Sequence, residues 1–243
     1  MTAVGIIGYG SFGALVETLI KKFAPAVEVK IFSSRREPDG THFFSFEEVA
    51  LCDMVVPSVP IHAFEETVTK LLPLMQPESI LVDVATVKVH TVEVLRRLAP
   101  ERRWIATHPM FGPESFAKRN GDVTGFRIVL TEHTLPKEQY AQLVAALRAC
   151  AFSVVEMSPE EHDKHLAETL FLTHLVGQII ARGNFGRTNI DTVSFGYLMD
   201  AVESVKQDTS LFQDVFRYNP YCRDVLNRFG IAEGEVQALL AIN

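Results

Sequence analysis

The sequence predicts an α/β protein in which a doubly wound, mostly parallel sheet is followed by a smaller, all-helical C-terminal domain. Three observations lead there. The chain opens on an apolar run, a glycine turn and an amphipathic stretch; apolar runs and amphipathic stretches then alternate as far as about residue 157; and from Ser158 onward the strand signals stop.

Ala3 to Ile7 is the first apolar run, followed by Gly8, Gly10 and Gly13 and by a stretch from about Phe12 to Phe23 with Leu15, Leu19 and Ile20 on one face. In a strand, turn, helix setting, Gly8 makes the turn, Gly10 lets the backbone approach a pyrophosphate, and Gly13 lets helix and strand pack closely. The helix N-terminus, with Ser11 and Phe12 in its first turn, offers unpaired N–H donors to phosphate. This is the pattern of a Rossmann-type dinucleotide fold. The next strand, Val27 to Phe32, ends where NAD-binding chains carry an acidic residue for the ribose 2′-hydroxyl. Here the chain reads Ser33, Ser34, Arg35 and Arg36. Two hydroxyls and two guanidiniums suit a 2′-phosphate, so NADP is expected over NAD; a solvated basic turn is the alternative.

Further strands are expected at Met54 to Val59, Ile80 to Val84, Trp104 to Thr107, Phe126 to Leu130 and Phe152 to Glu156. Helices are expected at about His62 to Leu72, Val87 to Leu98 and Pro136 to Cys150. Ligands in such sheets bind at the carboxyl ends of the strands, where Ser58, Asp83, Thr86, Lys88 and His108 fall. His108 opens the run His108, Pro109, Met110, Phe111, Gly112, Pro113, Glu114, Ser115, so a titratable imidazole sits at a strand end beside the expected cofactor. That placement suits proton transfer coupled to redox chemistry.

The expected helical domain covers 158–243. Pro159 at a first turn, with Glu160, Glu161 and Asp163 behind it, starts a helix that runs to about Arg182 and buries Leu166, Leu170, Leu175, Ile179 and Ile180. A second spans about Thr192 to Lys206, and a third from about Ser210 breaks near Asn219 and Pro220. So small a domain buries a thin core, which makes packing against a second copy, a homodimer, the expectation.

Composition excludes other classes. The chain has 243 residues, a net charge of −7 and 47% hydrophobic residues, which disfavours a general nucleic-acid or anionic-membrane binder and favours a small-molecule ligand. Cys52, Cys150 and Cys222 fit neither a disulfide framework nor a zinc site, which suggests a reducing compartment. His162 and His165 lie beside Glu161 and Asp163, but a polar helix start explains them and no metal is expected. The first strand begins within a few residues of Met1 and no apolar run reaches the roughly 18 residues of a membrane span, so a cytoplasmic protein is expected.

The residues resemble the arogenate and prephenate dehydrogenases of tyrosine synthesis. The resemblance is carried by Gly8 to Gly13, Asp83 to Lys88, His108 to Ser115, Met157 to Asp163 and Thr173-His174, in order and spacing. The run from His108 looks especially like the plant-type arogenate enzymes. The resemblance implies oxidative decarboxylation of a cyclohexadienol, with hydride leaving for the nicotinamide, the hydroxyl proton going to a base and carbon dioxide lost as the ring becomes aromatic. It implies His108 as that base, Thr86 (where the family usually has serine) as a hydroxyl beside it, and His174 as a substrate contact. Lys88 is a candidate for a cofactor or substrate carboxylate.

Prephenate-specific members resemble one another in an arginine on the helix that here carries Glu203. A carboxylate suits the ammonium group of arogenate instead, with Asp200 and Gln207 as rival contacts. Arg217 or Arg182 is then expected to meet the substrate carboxylates. Asn243 follows closely on the last expected helix, so no appended regulatory domain is expected, and any feedback by tyrosine would act at the active site. Three alternatives stay open: a prephenate dehydrogenase, another NADP-dependent imine or β-hydroxyacid reductase, and a non-catalytic NADP-binding sensor.

Overall fold

A computed structural model describes residues 3–241. In chain order the first part comprises β1 (Ala3–Ile7), α1 (Ser11–Phe23), β2 (Glu28–Phe32), α2 (Phe46–Ala50), β3 (Met54–Pro57), α3 (Phe64–Leu71), β4 (Ile80–Asp83), α4 (Val89–Leu98), β5 (Arg103–Pro109), α5 (Pro113–Lys118), β6 (Arg127–His133), α6 (Lys137–Ala149) and β7 (Ser153–Glu156). The strands form one sheet of order β2-β1-β3-β4-β5-β6-β7. All neighbours pair parallel except β5 with β6, as the expected mostly parallel sheet requires.

Strand alternation sends side chains to two apolar layers, one on each face. Ile7, Val55, Leu81, Trp104 and Ala106 pack with Phe64, Val68 and Leu71 of α3 and Val92 and Leu95 of α4. Ile105, Ile128 and Leu130 pack on the opposite side with Leu15 of α1, Val144 of α6, Phe111 and Phe152. Burying each large apolar side chain is worth about 1.5–3 kcal/mol, so both helical layers hold the sheet firmly. The two short helices, α2 and α5, were not expected from periodicity. Each has a local cause: Ser45 Oγ accepts from Glu48 N while Glu48 Oε2 accepts from Ser45 N, and Pro113 begins α5.

The chain divides between Pro159 and Glu160 into two compact units. The second is helical: α7 (Pro159–Leu166), a π-helical turn over Ala167–Phe171, α8 (Leu172–Arg182), α9 (Val193–Val205), α10 (Thr209–Tyr218) and α11 (Cys222–Leu240). The helix expected from Pro159 to Arg182 is therefore one run with a π-helical turn inside it. Within this unit α8 and α9 pack closely, because Gly177 leaves room for Val205. Among the described residues no helix is long and apolar enough to cross a membrane, and the three cysteines are free thiols.

Candidate active site

The glycine turn follows β1 at the point where the strand order reverses, with β2 on one side and β3 on the other. Gly8 N donates to Phe32 O at 2.9 Å and Ser58 N to Ile7 O at 2.7 Å, which draws the ends of three strands together. Gly8 has φ +98°, and a Cβ there would lie 2.4 Å from Ser58 O. A Cβ on Gly13 would lie 2.2 Å from Gly8 O, whereas one on Gly10 meets nothing within 4 Å. Protein thus crowds Gly8 and Gly13, whereas Gly10 faces open space. No side chain caps α1 at Gly10, so the first N–H groups, including that of Ser11, stay available to an anion. The Phe12 side chain is half-buried and packs against the core. Ser58 Oγ is buried without a hydrogen-bond partner among the described residues, and such a hydroxyl is what a bound ligand completes. These residues fit a dinucleotide.

Ser33 is buried, and its Oγ accepts from Arg35 N at 3.3 Å while Arg36 N donates to Ser33 O at 3.2 Å. The turn so formed leaves Ser34, Arg35 and Arg36 exposed, with the Arg36 guanidinium 5.9 Å from the Phe43 ring centre. Sequence reasoning missed the support beneath this turn. Asp39 Oδ1 accepts from the N–H groups of Thr41, His42 and Phe43, which holds its carboxyl well below the usual range. His42 Nε2 lies 2.8 Å from Glu17 Oε1, and Tyr9 OH donates to Glu17 Oε2 at 2.5 Å. The hydrogen bond to Glu17, with burial, pushes the Tyr9 phenol up to about 12. Burial would raise the Glu17 carboxyl, but hydrogen bonds from Lys21, Tyr9 and His42 outweigh it and the net direction is down. Glycine turn, α1 and the loop beyond Arg36 are therefore tied together through one carboxylate.

On the other side of the glycine turn, Thr86 follows β4 and His108 lies near the carboxyl end of β5, so both stand at the same edge of the sheet as Gly8 and Ser58. His108 is 5% exposed, and Thr86 is half-buried. Between Ala106 and Thr107 the pairing of β5 with β6 slips by a residue, leaving Thr131 extra on β6. Such bulges re-aim the side chains next to them.

Lys88 requires a correction. Its side chain is wholly buried, and its ammonium donates to Asp83 Oδ2 at 2.5 Å and to Thr107 O at 2.7 Å. It is committed to protein groups and does not present a charge to a substrate. An ammonium buried without such partners costs several kcal/mol, which is why it sits against a carboxylate.

In the helical unit His174 is buried, and its Nδ1 has no hydrogen-bond partner among the described residues. Its ring stacks on Phe212 at 6.1 Å, and Phe212 in turn stacks on Phe171 from the π-helical turn. Burial pushes the imidazole down, in the direction of its neutral form. Glu203 is not a solitary carboxylate. Its Oε1 accepts from Arg187 Nε at 3.1 Å, and Asp200 Oδ1 accepts from the same guanidinium at 2.5 Å. Arg187, from the loop before α9, is the cation that sequence reading overlooked, because the loop shows no periodicity. Arg217 is exposed, over the Tyr218 ring, and Arg182 is bound to the Gln178 side chain, so neither joins this cluster. Gln207 is exposed beyond the end of α9.

Among the described residues no group of three or more His, Cys, Asp or Glu is placed to hold a metal ion, and His162 Nδ1 lies 2.8 Å from Asp163 Oδ1. Burial pushes the Cys52 thiol up to about 11 and the Cys222 thiol up to about 12, away from thiolate reactivity.

Residues 40–155 match the family described as prephenate dehydrogenase, nucleotide-binding domain. Arogenate dehydrogenase 1, chloroplastic, from Arabidopsis thaliana is 30% identical, over 94% of this chain and 38% of its own length. Cyclohexadienyl dehydrogenase from Zymomonas mobilis is 25% identical, over 93% of this chain and 84% of its own. The chain thus spans well under half the length of the Arabidopsis protein. A solved prephenate dehydrogenase from A. aeolicus, in complex with hydroxyphenyl propionate and NAD+, has the same fold, with a TM-score of 0.75 at 20% identity over 99% of this chain and 91% of that one. Sequence match and fold agree with the glycine turn and the strand-end histidine: residues 40–155 carry the match to the nucleotide-binding domain of prephenate dehydrogenases, and the chain is similar along most of its length to arogenate and cyclohexadienyl dehydrogenases.

Proposed function

We propose that the protein converts arogenate to tyrosine by NADP-dependent oxidative decarboxylation. The observation that carries this reading is the placement of His108 on the strand-end edge that also holds Gly10 and Ser58. When bound, the dinucleotide supplies the hydride acceptor. Gly10, Ser11, Phe12 and Gly13 would hold its pyrophosphate through backbone N–H groups, with Ser58 Oγ as a further contact, while Gly8, whose N–H is committed to Phe32 O, shapes the turn. A ring nitrogen of His108 takes the proton of the substrate hydroxyl, and the Thr86 hydroxyl orients that oxygen. Loss of the ring carboxylate as carbon dioxide leaves a phenol. His174 is assigned a substrate contact, since it is a buried imidazole whose Nδ1 has no hydrogen-bond partner among the described residues.

For cofactor choice, Ser33, Ser34, Arg35 and Arg36 are assigned to the 2′-phosphate. Changing Arg35 and Arg36 to serine is expected to weaken NADP about 10- to 100-fold and leave NAD unchanged, the range for hydrogen bonds to charged groups. Titration of both dinucleotides followed by fluorescence checks it.

For substrate choice, Arg187 lies between Asp200 and Glu203, so one cluster offers a cation and two carboxylates. That set of charges complements an α-amino acid, whose carboxylate and ammonium need opposite partners. Exposed ion pairs are worth about 0.2–1 kcal/mol, so Glu203→Gln is expected to lower kcat/KM for arogenate relative to prephenate by about 1.4- to 5-fold. A ratio that does not change removes Glu203 from selectivity. The likeness to the Zymomonas cyclohexadienyl dehydrogenase favours, as a second reading, use of both substrates.

A homodimer through the helical unit is proposed from Ile231, Val236, Leu239 and Leu240 on α11, all more than half exposed. The test of the whole reading is initial rates with arogenate and with prephenate, each with NADP and NAD. Preference for arogenate with NADP supports it, and no rate with either substrate overturns it.

A further inference from the structure

We propose that Asp83 and Lys88 form a buried positioning device that sets the peptide carrying His108 and the turn carrying Thr86, with neither residue touching substrate. This rests on the reading of His108 as the base. The paired register of β4 with β5 ends at Asp83↔Ala106. One residue further on, the carbonyl of Thr107, which belongs to the peptide unit leading into His108, accepts from Lys88 Nζ at 2.7 Å. The ammonium thus takes over where the sheet ladder stops. Thr107 Oγ1 donates to Asp83 O at 2.8 Å, so the residue before His108 is fixed at both its carbonyl and its side chain.

Asp83 is the hub. Its Oδ2 accepts from Lys88 Nζ at 2.5 Å and from Thr91 Oγ1 at 2.6 Å, and its Oδ1 accepts from Ala85 N at 2.8 Å. The last bond closes the turn whose next residue is Thr86. One carboxylate therefore fixes the approaches to both groups assigned to the substrate hydroxyl. Asp83, Lys88 and Thr91 are all 0% exposed. Buried ion pairs are poor stabilisers compared with well-packed apolar residues, so stability alone gives little reason for charges here. Placement of reacting groups does, because rates fall steeply with small displacements.

The test compares Lys88→Met, Thr91→Val and the doubly neutral Asp83→Asn/Lys88→Met variant with His108→Asn, all in the full chain. Misplacement of a reacting group predicts, for folded Lys88→Met, a kcat lower by about 10- to 100-fold with dinucleotide Kd and substrate KM within about threefold of wild type. The His108 ring signals in NMR are expected to move as well, a readout independent of turnover. Thr91→Val, which removes one bond to Asp83 and nearly keeps the shape, is expected to show the same pattern at about threefold. If Lys88→Met does not fold, the double variant and Thr91→Val decide by the same criteria. Unchanged kcat and unmoved His108 signals in the folded variants, beside an inactive His108→Asn, overturn the positioning role and leave the base intact. Full activity in His108→Asn overturns the base, and the positioning role falls with it.

Discussion

Replacing His108 by asparagine is expected to lower kcat by about 10²- to 10⁴-fold, the range for losing a positioned proton acceptor. Asparagine keeps polarity and roughly the volume of the imidazole but takes no proton near neutral pH. Dinucleotide affinity is expected to stay within about threefold of wild type, because the groups assigned to the cofactor stand after β1, β2 and β3 whereas His108 lies on β5. Stopped-flow rates with dinucleotide titration on the same preparation separate the two effects. A variant that has lost cofactor binding to the same degree as turnover would place His108 in the architecture of the fold, and an unchanged rate would remove it from proton transfer.

The second large effect concerns the glycine turn. Alanine at Gly8 meets both a positive φ and a backbone oxygen at 2.4 Å from its Cβ. Left-handed strain costs about 1–2 kcal/mol and overpacking about 1–3 kcal/mol, so a loss of about 2–5 kcal/mol is expected. For a chain of this size that lowers Tm by about 5–20 °C. Gly10→Ala is the instructive contrast. Its Cβ enters open space, so Tm is expected to stay within about 2 °C while dinucleotide affinity falls, since the added methyl takes room assigned to the pyrophosphate. Thermal denaturation beside dinucleotide titration reads both. Equal Tm losses in the two variants would show that Gly10 serves folding and not a ligand.

Much of the sheet was legible because its strands are short, β-branched and bounded by turns, so that apolar runs such as Ile80 to Val84 stood out. The helices that periodicity located are those with a wide buried stripe, such as α4 with Val92 and Leu95. It passed over α2 and α5, whose five and six residues are too short to show a period. Their end signals were there to be found, in Ser45 with Glu48 and in Pro113. At the site, Gly8, Gly13 and Ser58 sit together because each lies within a few residues of a strand end and the strand order brings those ends side by side. Lys88 was read as a contact for a cofactor or substrate carboxylate because its place after the β4 strand end suits a ligand, and nothing in the spacing shows that the fold buries it against Asp83. Glu203 was read alone because its partner Arg187 lies 16 residues away in a loop, beyond any helical spacing.

The π-helical turn over Ala167–Phe171 carries a meaning that packing distances do not express. It holds one more residue than an α-helical turn would, and each residue of an α-helix advances the azimuth by about 100°. Everything after it on α8, from His174 to Gln178, is therefore indexed about 100°, a little over a quarter of a revolution, away from where a regular helix begun at Pro159 would point it. Taking one residue out of that turn would leave an acceptable helix by composition and length. It would also swing His174 off its stack with Phe212 and carry Gly177 away from Val205. The extra residue acts as a phase setting, and the facing of His174 is written into the count of residues before it as much as into the imidazole itself.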